Sequence, residues 1–477
     1  QKMLFGKLAF KLLHLRNTII LMIPELLQSQ KNFFKTGDTI NVTYRKLVLQ
    51  QLKMELIKRE SDIIEALAKD FKKPAFETVL TETTVVLSDL DLMIKNINKW
   101  AKPKRVRPSL LNFPSSDRLY SEPYGQTLII APWNYPYQLA ITPMVAAIAA
   151  GNTVVLKPSE LTQNTSALLN NIIKTVFKPE HVSVIEGGVD VSTILLAQRW
   201  DYIFFTGSVN VGKIVAKAAA EYLTPTTLEL GGKNPCIIDE TANIKLTAKR
   251  IVWGKFLNAG QTCIAPDYIL IHHSKKEDFY KAMKTEIEKA YTSEPKASSD
   301  FCRIVNKKNF NRLAKMLDNE NCIIGGQTDA ETNYISPTLI DEPSLDSEVM
   351  KDEIFGPILP VLAYKNKQDI ETIISKYEKP LSLYVFSTNT AKARKIIETF
   401  SFGGGCINDT VIHFANHRLP FGGVGNSGIG AYHGKLSFDT FSHKKAVVKK
   451  GNWLDLPLRY APYTGKLKKV KKLLKWL

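Results

Sequence analysis

The chain has 477 residues, 44% hydrophobic and 23% charged, long enough for more than one core and ordinary for a globular protein. Its net charge of +18 is concentrated at the ends: residues 1–24 hold four Lys/Arg and no acid, residues 444–477 hold eleven against one acid, and the body is left with +4. That distribution argues against a nucleic-acid-binding domain and for an enzyme body with basic, surface-seeking tails. The five cysteines (236, 263, 302, 322 and 406) form no C-x-x-C pair and no metal-ligand spacing with the histidines, so a reducing, cytoplasmic setting without disulfides or a metal site is expected.

In chain order, residues 1–24 are apolar with scattered basic residues. They read as an amphipathic surface helix, a targeting segment or a plain peripheral extension, with no apolar run long enough to span a bilayer. From about Ile40 to Trp100, apolar residues recur at helical spacing, as in Leu47, Leu49, Leu52, Leu56, Ile63, Ile64 and Leu67, and predict two or three long helices. Residues 101–125, rich in Pro, Ser and basic side chains, predict an extended excursion from the body.

At Gly125 the pattern changes. TLIIAPWN, NTVVLKPSE, VSVIEGG and YIFFTGS each place a short β-branched or aromatic run before a turn, and helical stretches at Gln138 to Ala150 and Thr165 to Val176 lie between them. The alternation predicts an α/β fold with a parallel sheet, whose ligands gather at the carboxyl ends of the strands. A second alternating series, from LELGGKNPCIIDE through YILIHH and FGPILPVLAY to LSLYVFS, predicts a second α/β domain.

The turns carry the chemistry. Cys263, in NAGQTCIAPD, lies between Gly260 and Pro266 on irregular backbone, where a thiol can be presented to a cleft; cysteines are more often small buried hydrophobes. Asn134, in APWNYP, offers an amide donor of the kind an oxyanion requires, although many such residues only cap turns. Glu229, in TLELGGK, is an acid at an apolar strand end, where burial would raise its pKa into the range of a general base. Glu353, in KDEIFGP, is a similar case, with Phe355 beside it able to pack a flat ring. Lys157 and Glu160, in VVLKPSE, can pair with ribose hydroxyls or simply with each other. The turn from Phe205 to Lys213 fails as a Walker A loop because Ile214 replaces the magnesium-binding hydroxyl, which leaves a generic anion site at Gly207 and Ser208.

Taken together, PWNYP, KPSE, FFTGS, LELGGK, GQTC, EIFGP and PFGG occur in one order between Pro132 and Gly423. From about Glu25 to Lys469 the chain resembles the NAD(P)-dependent aldehyde dehydrogenases, and GQTCIAPDYIL with PFGGVGNSGIGAYHGKLSFDTFSH resembles the class 3, fatty-aldehyde branch. The resemblance implies a Rossmann-type cofactor domain (25–100 and 126–227), a catalytic domain (228–430) and an oligomerisation arm (101–125 and 431–455) that makes a homodimer. A basic amphipathic tail (456–477) would do no more than touch a membrane surface.

It further implies that Cys263 is the nucleophile, that Asn134 with the Cys263 N–H binds the oxyanion, and that Glu229 is the base, with Glu353 a rival for that duty. Lys157 and Glu160 would hold the adenosine ribose, Gly207 and Ser208 the pyrophosphate, and Glu353 with Phe355 the nicotinamide ribose and ring of NAD or NADP. The implied reaction is oxidation of a medium- or long-chain aliphatic, or an aromatic, aldehyde to a carboxylate through a thioester hydrolysed by water. The alternatives are transfer of the acyl group to coenzyme A, or a catalytically idle protein of the same fold at a membrane surface.

Overall fold

Short runs of β-branched and aromatic residues that are apolar on both faces can be satisfied only by a sheet covered on both sides. Two such sheets form in the computed structural model, which describes residues 22–475. The first has six strands, in the order Gly428–Ile429, Thr226–Glu229, Tyr202–Thr206, Gln126–Ile130, Thr153–Lys157 and Val182–Val184; all are parallel except the first, which returns antiparallel. The second has seven, in the order Cys322–Ile324, Thr338–Asp341, Ile358–Tyr364, Tyr268–His272, Pro235–Ile238, Ser382–Phe386 and Gly404–Ile407, again parallel apart from the first. The chain thus crosses between sheets just after Glu229, and residues 428–429 cross back to lie beside it.

The expected helices form as Val42–Lys58, Glu60–Phe71 and Thr84–Trp100, with a short helix at Ala75–Thr78 and a π-helical turn at Val79–Thr83 between the last two. Leu49, Leu52, Leu56, Ile63 and Leu67 are buried as the spacing requires. Leu47 is exposed instead, because a step of two residues from Leu49 carries it to the far side of the helix. The excursion holds the strands Lys104–Val106 and Ser115–Pro123, and the latter pairs along its whole length with Ser442–Lys450. Before that strand, the Lys435–Thr440 helix packs into the body, with Phe438 and Phe441 buried.

The N-terminal extension falls almost entirely outside the described residues, as does Leu477. Where description begins, residues 22–36 are helical, and Ile23 and Leu27 are buried against the six-stranded sheet. Among the described residues no helix is long and apolar enough to cross a membrane. The Leu467–Leu474 helix has Leu467 and Leu474 exposed.

One helix organises the rest. Gln138–Ala150 is buried at every position, so its ends cannot turn to water for their missing partners. At its C-terminal end the buried Arg45 guanidinium, with no carboxylate on it, donates to Ala149 O (3.1 Å) as well as to Thr39 O and Ile40 O. At its N-terminal end Glu82 Oε2 accepts the N–H groups of Tyr137 (3.0 Å) and Gln138 (3.1 Å). A cation at the carbonyl end and an anion at the amide end both complement the helix dipole. Replacing Arg45 with Met should strand two buried carbonyls, those of Thr39 and Ala149, and destabilise the protein by about 2–4 kcal/mol, read as a lower midpoint in urea unfolding.

Candidate active site

The helix Ile244–Phe256 ends where the backbone turns left-handed for three residues: Asn258 (φ 56°), Ala259 (φ 51°) and Gly260 (φ 72°). Gly260 has to be glycine twice over, since a Cβ there would also stand 2.3 Å from Gly356 O. Asn258 holds the turn: its N–H donates to Glu77 Oε2 (3.0 Å), and its Nδ2 donates to Asn134 O (2.9 Å) and Gln261 O (3.2 Å). Asn134 Nδ2 donates back to Gln261 O (3.0 Å), and Tyr135 OH meets Thr262 Oγ1 at 2.7 Å. Beyond the cysteine, Asn234 Nδ2 donates to Cys263 O (2.7 Å) and Ala265 O (3.0 Å). Cys263 therefore emerges from a loop whose backbone is bonded on both sides, and it is the half-buried thiol of a cavity wall.

That cavity, about 980 Å³, opens at the carboxyl ends of the strands. Cys263, Asn134, Glu229, Gly207, Ser208, Glu353 and Phe355 all stand on its wall. Lys157 and Glu160 do not: the Lys157 ammonium donates to Glu160 Oε2 at 2.7 Å, at the end of a neighbouring strand. Phe355 is held at φ 52°, and its ring meets Trp133 edge-on at 5.3 Å between centroids. Backbone strain of this kind is kept where a side chain must be aimed.

Burial dominates the electrostatics. It pushes the Cys263 thiol far above its ordinary value, with Glu353 and Glu229 adding to the shift and the N–H groups of Cys263 and Ile264 opposing it. Glu229 is 3% exposed, neither of its carboxyl oxygens has a hydrogen-bond partner, and burial alone raises it well above the carboxylate range. Glu353 is pushed up to about 8 by burial and then by Asp267; the Gly232 N–H and the Arg312 and Lys233 cations pull the other way. A Cβ on Gly231 would lie 2.2 Å from Glu353 Oε2, which explains the glycine that follows the Glu229 strand.

The wall suits a dinucleotide, with one correction to the sequence expectation. The Gly207 N–H is committed to Glu229 O (3.0 Å), so it offers nothing to an anion. Ser208 caps the Val209–Glu221 helix by accepting the Val211 N–H at 3.5 Å. Val209 and Asn210 in the first turn, with Lys213 a turn further on, stand at this end of the cavity, where a helix N-terminus favours an anion.

Sequence reading missed Glu77, Glu82, Asn258 and the Lys233–Asp267 pair (2.7 Å). The signal for the first two was available: acids within the apolar helical run AFETVLTETTVVL have no solvent-facing reason to be buried.

Oxidising a carbonyl through sulfur requires a nucleophile, a proton acceptor and a dinucleotide-binding sheet end within one cleft; this cavity brings a thiol, two buried carboxyls and a sheet end together, and the chain is an oxidoreductase. It belongs to the aldehyde dehydrogenase family, whose model matches residues 23–447, and relatives named as family 3 members are among its matches, which puts it in the class 3 branch. The activity is NAD(P)-dependent aldehyde oxidation. A 4,4'-diaponeurosporen-aldehyde dehydrogenase of Staphylococcus aureus is 46% identical over 94% of this chain and 98% of that one. The dog enzyme named "Aldehyde dehydrogenase, dimeric NADP-preferring" is 40% identical over 93% and 99%. The solved structure described as a substrate-bound state of Staphylococcus aureus AldH superposes with a TM-score of 0.93, covering 95% of this chain and 99% of that one.

Two measurements follow. Alkylation of Cys263 by iodoacetamide should require a more alkaline pH than a free cysteine, and Glu353→Gln should move the profile to lower pH by removing a negative neighbour. For Glu229 the folded pKa lies above the ordinary 4.5, so the folded chain keeps a proton the unfolded chain loses. Its contribution to stability is full below about 4.5 and is eroded as pH rises towards the folded value. Glu229→Gln should therefore raise the melting temperature relative to wild type, by more at pH 8 than at pH 5.

Proposed function

We propose that Cys263 is the nucleophile, that Asn134 Nδ2 with the Cys263 N–H receives the oxyanion, and that Glu229 is the base of a hydrolytic aldehyde oxidation. The supporting observation is Glu229 itself: a buried carboxyl with both oxygens unbonded, on the same cavity wall as the thiol, has no structural partner to serve. When bound, NAD or NADP supplies the hydride acceptor. The Cys263 thiol gives its proton to the ionised form of Glu229, which releases it to solvent, as the sulfur adds to the carbonyl carbon; the amide donors hold the resulting thiohemiacetal alkoxide. Departure of hydride from that carbon leaves a thioester on Cys263. Glu229 then takes a proton from the water that attacks the thioester, and the carboxylate leaves as the thiolate is regenerated.

The cofactor contacts assigned by this reading are the Val209 and Asn210 amides with Ser208 and Lys213 for the pyrophosphate, Glu353 and Phe355 for the nicotinamide ribose and ring, and Lys157 with Glu160 for the adenosine ribose. Glu160 can accept from a free 2′-hydroxyl, and the cation 2.7 Å away tempers its charge, so both cofactors are expected to serve. The substrate is an apolar aldehyde of medium or long chain, or an aromatic one: Leu80, Trp253, Ile412, Phe414 and Phe421 line the cavity, and the Staphylococcus relative is named for the apolar 4,4'-diaponeurosporen-aldehyde.

A homodimer through the three-stranded arm is supported by the exposed Phe113, Val447 and Val448 and by the word "dimeric" in the dog enzyme's name. The protein would work in the cytoplasm, touching membrane surfaces through the lysines of Leu467–Leu474 and the exposed Trp453 and Tyr463.

Loss of Cys263 to Ala should abolish turnover, and Asn134→Ala should lower kcat by about 10²-fold; wild-type turnover in Cys263→Ala would refute the assignment. Product analysis with coenzyme A present separates the remaining alternative. Free acid is expected, because Glu229 is available to activate water, and a predominant acyl-CoA product would overturn the hydrolytic reading.

A further inference from the structure

Between Lys73 and Thr83 the chain places three ionisable side chains where a helical protein would normally bury apolar ones. Lys73 and Glu82 form an ion pair at 2.6 Å with neither side chain exposed, and Glu77 is 8% exposed. A buried pair of this kind is seldom a net gain over well-packed apolar residues, so its destination in the structure matters more than its existence.

Each group points at backbone beside the reactive centre. Glu82 Oε2 accepts from the Tyr137 and Gln138 amides, three and four residues after Asn134. Glu77 Oε2 accepts from the Asn258 amide, five residues before Cys263, and Cys302 Sγ lies 3.9 Å from the same oxygen. The Lys73 ammonium stands 4.1 Å from the centre of the Tyr135 ring, whose hydroxyl bonds Thr262. One short segment therefore grips both strands of the site: that carrying the amide donor and that carrying the thiol. Glu82 lies within the π-helical turn Val79–Thr83, a rare geometry often found at functional sites, and the same turn brings Leu80 and Thr81 to the cavity wall.

We propose that Glu77 and Glu82 are positioning residues that together set the spacing of the Asn134 amide from the Cys263 sulfur. The proposal rests on the roles given above to Asn134 and Cys263. Catalysis by held geometry is sensitive to displacements of about 1 Å, which can cost on the order of 10²-fold in rate. Glu77 acts on one backbone amide and Glu82 on two adjacent ones, so their effect should appear in kcat and thiol reactivity, leaving cofactor affinity alone.

The test uses the full chain, with Glu77→Gln, Glu77→Leu and Glu82→Gln, each alone and combined with Asn134→Ala. Measured for each are kcat, aldehyde KM, the Cys263 alkylation rate and NAD binding by quenching of protein fluorescence. Glu77→Leu should lower kcat by about 10-fold or more with NAD binding within about 2-fold, and Glu77→Gln, whose carbonyl can still accept the Asn258 N–H, should restore most of the loss. Glu82→Gln should cost several-fold in kcat alone but less than about 2-fold in the Asn134→Ala background, because the donor it positions is already gone.

Equal losses in the Gln and Leu variants at position 77, additive losses in the double variants, or cofactor affinity falling in step with kcat would each overturn the proposal. If Glu77→Leu does not fold, the Glu82→Gln cycle decides by the same criterion. A wild-type kcat in Asn134→Ala or in Cys263→Ala would instead defeat the underlying mechanism, which keeps the two failures apart.

Discussion

The Asn258 side-chain amide clamps the two halves of the reactive centre together, beside the Asn134–Gln261 and Tyr135–Thr262 bonds. Asn258 Nδ2 donates to the carbonyls of Asn134 and Gln261, so two carbonyls 127 residues apart in sequence share one donor. The same residue must also adopt a left-handed backbone, and asparagine is the non-glycine residue best able to do so. Glycine would make the turn without the clamp, and alanine would strain the turn and lose the clamp. The position of the thiol follows from that double demand, and the Gly260 approach to Gly356 O ties the Glu353–Phe355 turn to the same loop.

Outside the cavity, several buried cations are held by acids or carbonyls, although the buried Asp89 keeps an unpartnered Oδ2. Lys233 Nζ has Asp267 and two backbone carbonyls, Arg45 has three carbonyls, and Lys73 has Glu82. Inside it, Glu229 has nothing, and the thiol is pushed upward by two acids. The contrast separates scaffold from chemistry. Protein that could have lowered its free energy by pairing or removing Glu229 instead keeps a proton-hungry carboxyl beside a suppressed nucleophile, the kind of cost that active sites retain. A thiol held protonated at rest is also shielded from adventitious oxidation.

Much of the fold could be read in advance because its signals are local. The strand before each turn was visible in TLIIAPWN, NTVVLKPSE and YIFFTGS, and the Gln138–Ala150 helix is bounded by the Gly151 that its left-handed cap requires. Leu47 misled because a leucine reads the same on either face of a helix. The Gly207 amide is taken by Glu229 O, a partner on a strand that sequence does not place beside it, while the residue itself stays on the cavity wall. Glu77 and Glu82 went unread because their partners, Asn258, Tyr137 and Gln138, lie far along the chain.

Residue type and short-range order by themselves determined the α/β class and the turns that offer a thiol, an amide and acids to a cleft, since each of these is a property of a few neighbouring residues, and the order of seven motifs along the chain singled out Cys263, Asn134 and Glu229. Only the tertiary structure decided that those turns converge on one cavity and that Lys157 and Glu160 stand off its wall. It alone decided, too, that Glu229 is left unbonded while Glu82 is fully engaged. The physical reason is that a carboxyl's chemistry is set by burial and partners, and both are supplied by chain segments a hundred or more residues away.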